Sequence, residues 1–103
     1  MSDTYSIIQE AIKSRRQIIA TYKGHRREMC PHVLGTKNGK MRALFFQFGG
    51  SSQSGLPAGG EWRCIAVADL SNVITRDGDW HTGSNRTGSQ TCVDEVHVEV
   101  PWM

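Results

Sequence analysis

The chain has no long apolar run. Nothing approaches the roughly twenty consecutive apolar residues that cross a bilayer as a helix, and the first residues lack the basic-then-apolar order of a secretory signal. Charge of one sign is scarce too: a formal net charge of +2 over 103 residues is too small to mark a nucleic-acid protein. Cysteine is limited to Cys30, Cys64 and Cys92, an odd, widely spaced set that reads as no disulfide framework and fits a reducing cytoplasm. Catalytic motifs are missing as well. There is no Gly-x-Ser-x-Gly elbow and no paired-carboxylate spacing, so no catalytic residue is assigned and no enzyme is expected. Cys30 and His32 would share a strand face, and Cys92 with His97 could in principle complete a zinc site. No Cys-x-x-Cys or His-x-x-x-His spacing supports them, so neither metal nor cofactor is expected.

What is present is glycine, 11 residues of it, beside a 38% apolar share, which suits one domain of short strands and many turns. Seven of the twelve Lys and Arg lie between Lys13 and Lys37, so a local basic face is expected. Within that span the chain is organised around Ile18 to Gly35, read as two strands joined by a tight turn at Lys23-Gly24. Ile18, Ala20 and Tyr22 share one face of the first strand, because side chains alternate. Cys30-Pro31 interrupts the second strand; proline gives no N–H to a ladder and belongs at a bulge or edge. His25, Arg26 and Arg27 gather cations beside Tyr22. A ring next to guanidinium groups suits planar anionic partners; the plain alternative is a solvated turn.

Asp3 or Thr4 caps an expected helix from about Tyr5 to Arg16, with Ile8, Ala11 and Ile12 as its apolar stripe and Arg15 and Arg16 in its last turn. Asn38-Gly39 is a strong hairpin signal. Met41 to Phe48 reads as a strand apolar on both faces, hence central, in which buried Gln47 needs a partner. Gly49 to Glu61 reads as a loop without the Gly-Lys-Ser/Thr ending of a P-loop. Trp62 to Ala68 and Val73 to Arg76 read as further strands, and Glu95 to Val100 alternates as a half-buried one. That last strand either returns to the barrel edge or pairs with another subunit, which would make a homodimer. The expected organisation is a domain over 1–82, a polar linker over 83–92 and a C-terminal strand over 93–103.

The stretches AIKSRRQIIATYKGHRREMCPHVLG, KMRALFFQFGGSSQSG and EWRCIAVADLSNVITRDGDW together resemble the WYL domain, a bacterial and phage module, over roughly Ile8 to Trp80. The resemblance implies a mainly β fold, a small SH3-like or Sm-like barrel of about five strands behind an N-terminal helix. It also implies ligand sensing: a regulatory module that binds a nucleotide or short single-stranded nucleic acid through basic residues. Carried over by position, the site residues are Tyr22, Arg26 or Arg27 ahead of Pro31, and Arg63 after Trp62; His32 and Arg42 are added from the residues themselves. The signature Trp-Tyr-Leu is absent, with Arg42-Ala43-Leu44 in its place, and Asp69 stands where the family carries Arg. No DNA-binding domain precedes Met1, so the chain is not expected to be a complete regulator by itself. The alternative function is an assembly protein that oligomerises through its C-terminal strand.

Overall fold

A computed structural model describes residues 3–50, 60–81 and 92–100. The fold class is mainly β. Helix α1 (Thr4–Ser14) precedes strands β1 (Gln17–Tyr22), β2 (His25–Lys37), β3 (Lys40–Gly50) and β4 (Glu61–Ala66). A 3-10 turn (Val67–Asp69) follows, then β5 (Ser71–Arg76) and β6 (Glu95–Glu99). All ladders are antiparallel, in the order β4-β3-β2-β1-β5, with β6 added on β2. This is an open path, and no ladder joins β4 to β5 among the described residues.

Local chemistry sets the boundaries. Asp3 Oδ1 accepts the Ser6 N–H at 2.7 Å and caps α1. The helix stops at Ser14, two residues before the expected end, because Arg15 turns left-handed (φ 55°) and the Arg16 N–H returns to the Ala11 carbonyl at 2.9 Å. Gln17 can then enter β1 extended. Lys23-Gly24 and Asn38-Gly39 both have two successive positive φ angles, the mirror-image turn whose twist matches paired strands.

β2 is the spine. Its first half pairs with β1 (Ile18 opposite Met29) and its second half with β6 (Leu34 opposite Val98). Pro31 falls where β1 has ended and β6 has not begun. The register against β3 shifts between Pro31 and Val33, which makes His32 the extra residue of a bulge. The Trp62–Ala68 strand expectation shortens to Glu61–Ala66, because the 3-10 turn buries Val67 and exposes Ala68 and Asp69.

The helix covers one face of the sheet. Ile8, Ala11 and Ile12 meet Ile18, Ala20, Met29, Leu34, Ala43, Phe45 and Ile65, with Val67, Leu70 and Val100 closing the sides. On the other face a second cluster gathers Val33, Leu44, Cys92 and Val93 against Trp62. Here the sequence reading needs correction: Cys64 and Cys92 form a disulfide, with Cα atoms 5.6 Å apart, and Cys30 is the leftover thiol. Wide spacing along the chain says nothing about distance once β3 and β4 pair and Cys92 folds back over Leu44. The cysteine content therefore no longer argues for a reducing compartment. Cys92 is also part of the packed domain rather than of a linker, while 82–91, covering most of the expected linker, and 51–59, within the expected loop, lie outside the described residues. No helix among the described residues is long and apolar enough to cross a membrane.

The C-terminal strand lies on β2 of its own chain, and Gly35 makes room for it. A Cβ at Gly35 would collide with the Glu95 carbonyl oxygen and stand 3.1 Å from the Val96 Cα. Gly35→Ala is expected to cost about 1–3 kcal/mol and to free the Glu95–Glu99 amides to exchange while the β1–β2 amides stay protected. Unchanged protection across β6 would refute the contact.

Candidate anion site

Antiparallel partners point to the same face, and the register places the site. Arg27 stands opposite Ala20, and Tyr22 opposite His25, so guanidinium and ring share the face that holds Ile18 and Met29. Arg27 lies over the Tyr22 ring, 4.9 Å from its centroid, and the Lys23 ammonium is 5.5 Å from the same centroid. On β3, Gln47 lies opposite Met29; on β4, Arg63 lies opposite Phe45 and Glu61 opposite Gln47. Four strands, β1 to β4, thus bring Tyr22, Arg27, Gln47, Arg63 and Glu61 to one end of the sheet.

The polar geometry is unusual. The Gln47 carboxamide oxygen accepts from two guanidiniums, Arg27 NH1 at 3.3 Å and Arg63 Nε at 3.2 Å, while its nitrogen donates to the Gly49 carbonyl at 2.9 Å. The partner that buried Gln47 required is this pair of arginines. Arg63 NH2 reaches Glu61 Oε2 at 2.9 Å. Arg27 is only 3% exposed, makes no ion pair with a carboxylate among the described residues, and its Nε is buried without a hydrogen-bond partner. Burial first, and the Arg63 charge second, pull the Arg27 guanidinium below its ordinary value. Both causes oppose a positive charge at this spot, and an added anion relieves both.

Of the expected site residues, Tyr22, Arg27 and Arg63 come together. Arg26 does not. It stands opposite Thr21, on the other face, where its NH1 binds Glu28 Oε2 at 3.0 Å. Glu28 also takes Arg76 NH2 at 3.2 Å, and Arg76 donates from Nε (2.9 Å) and NH2 (2.6 Å) to Gln17 Oε1. Desolvation works to raise the Glu28 carboxyl, but the hydrogen bonds from Arg76 and Arg26 outweigh it and hold it below its ordinary value.

His32 is a core residue, 1% exposed. Its Nδ1 lies 2.9 Å from the Cys30 carbonyl and its ring sits between Trp62 (4.8 Å) and Trp80 (4.9 Å). The neighbouring Cys30 thiol is pushed up to about 11 by burial, although the His81 N–H points at its sulfur from 3.2 Å. It is a poor nucleophile. Arg42 turns to the face of Cys64, its NH1 4.0 Å from that sulfur. It borders a separate cleft of about 810 Å³ between the start of α1, the start of β3 and the 3-10 turn. The bulge at Pro31 moved His32, and strand alternation moved Arg26 and Arg42.

Glu61 escaped the sequence reading because it was assigned to the preceding loop; extending the alternation of β4 back by one residue would have found it. A second constellation also went unread. The Tyr5 hydroxyl and His97 Nδ1 lie in a hydrogen bond of 2.7 Å, and His97 Nε2 faces Glu95 Oε1 at 3.4 Å, tying α1 to β6. No local signal connects residues 92 positions apart. No family model, no curated protein and no solved structure matches this chain.

Proposed function

We propose that the chain is a regulatory binding module for an anionic ligand, a nucleotide or a short single-stranded nucleic acid, as its resemblance to WYL domains implies. One observation carries the reading: a buried arginine lies on a tyrosine ring, shares one carboxamide oxygen with a second arginine, and has no carboxylate of its own among the described residues. A structural arginine so deeply placed is ordinarily matched by an acid, since an unpaired buried charge is costly. Here Gln47 orients two cations without neutralising them, and Tyr22 offers the kind of ring on which a base stacks. Two guanidinium forks side by side suit phosphate oxygens better than a single point charge does. β6 pairs along one edge with β2 of its own chain, so the alternative of assembly through that strand would use its other edge.

Arg27→Ala is expected to weaken binding of a labelled oligothymidylate or labelled ATP about 10- to 100-fold, as losing a charge-assisted contact worth about 1.5–3 kcal/mol implies. The slope of log affinity against log salt should fall by about one contact. Fluorescence anisotropy measures both, with a thermal melt to confirm folding. Tyr22→Leu, which keeps the charges, should weaken the oligonucleotide without changing the salt slope. Equal, weak binding by wild type, Arg27→Ala and Arg63→Ala would remove the site.

A further inference from the structure

We infer that Glu61 is a built-in competitor for this site, its carboxylate occupying the Arg63 nitrogen that a ligand's anionic group takes on binding. The inference rests on the binding reading above and deepens it, because it assigns the site a regulating residue. Arg63 is held at two ends: its Nε points inward to Gln47, and its NH2 points outward to Glu61. The Arg63 side chain is 19% exposed and that of Glu61 44%, so the carboxylate sits on the solvent side of the pair. A half-exposed ion pair is a weak one, and an incoming anion can replace it at small cost.

The backbone determines how Glu61 can leave. Gly60, at φ +87°, lies so close to β3 that a Cβ there would stand 2.6 Å from Phe46 Cζ and 2.7 Å from the Gln47 carbonyl. Glu61 then enters the ladder opposite Gln47. Its main chain is therefore held in place, and only rotation of its side chain uncovers Arg63. The charges favour that rotation when a better acceptor arrives. One carboxylate on β4 serves Arg63 alone, whereas a ligand with two anionic oxygens reaches Arg63 and the deeper, acid-free Arg27 together. Monoanions gain little over Glu61, so the residue also selects for ligands of higher charge.

The test titrates wild type, Glu61→Gln, Glu10→Gln and Arg27→Ala with labelled oligothymidylate and labelled ATP at low salt. Glu10 is an exposed acid of α1 away from the site, and its substitution changes the net charge by the same amount. Glu61→Gln is expected to bind about three- to fivefold tighter than wild type, the scale of one exposed ion pair, with Glu10→Gln unchanged. Equal tightening by both variants overturns the inference, since it reduces the effect to long-range steering. Weaker binding by Glu61→Gln also overturns it, because Glu61 then supports Arg63 or touches the ligand. Wild-type binding that Arg27→Ala abolishes and Glu61→Gln leaves unchanged sinks the competitor alone. No binding by wild type or any of the three variants removes the binding reading and the competitor together.

Discussion

Phe45→Ala is expected to cost about 3–5 kcal/mol, the range for emptying a large buried aromatic site. Phe45 is fully buried, heads the largest buried side chains, and stands between Pro31 on β2 and Arg63 on β4 beneath the helix. No neighbour collapses easily into the space, because β2 and β4 are held apart by β3 itself. Domains of this size hold a total stability of about 5–15 kcal/mol, so the variant should retain at most a modest margin at 25 °C. Its melting temperature should fall by more than about 10 °C, at about 4–8 °C per kcal/mol. Urea denaturation followed by circular dichroism measures the loss, and Phe45→Leu should recover most of it. A loss below about 1 kcal/mol would mean that the core does not lie between α1 and β3.

Breaking the Cys64–Cys92 disulfide is the second large effect. The two residues are 28 positions apart, and the loop they close contains β5. The chain-entropy relation for a loop of that length assigns about 3–4 kcal/mol to the cross-link. Cys64 is exposed, so a small dithiol can reach its sulfur, while Cys92 is buried beside Leu44 and Val33. Reduction should lower the urea midpoint and loosen β6 first, since Cys92 leads into the Asp94 N–H to Thr36 carbonyl bond (2.8 Å) that starts the β2–β6 ladder. Alkylation in denaturant checks the premise. Without reductant one cysteine, Cys30, should take up iodoacetamide; with reductant, all three. Three labels without reductant would show that the bond does not form.

Much of the fold was legible locally. The caps at Asp3 and the turns at Lys23-Gly24 and Asn38-Gly39 depend on a few adjacent residues, and they are where the spacing puts them. The face of β1, the bulge at Pro31 and the need of Gln47 for a partner also follow from alternation and from what each group can donate or accept. The site was half legible. Tyr22 with Arg27 is a contact between neighbours across one tight turn, and Arg63 follows from the position of β4. Arg26 was misjudged because adjacent residues on a strand point to opposite faces, and choosing between Arg26 and Arg27 needs the register.

Sequence alone determined the strand-forming segments, the helix, the turns and the crowding of basic residues near Tyr22, because these are short-range matters of φ, alternation and composition. Only the tertiary structure decided which cations converge, that Cys64 and Cys92 meet, and that β6 lies on β2 rather than elsewhere. Those outcomes join residues from 16 positions apart (Gln47 with Arg63) to 66 positions apart (Val33 with Glu99). Their physical origin is the burial of two faces of one sheet at once, a condition that no window of the chain contains.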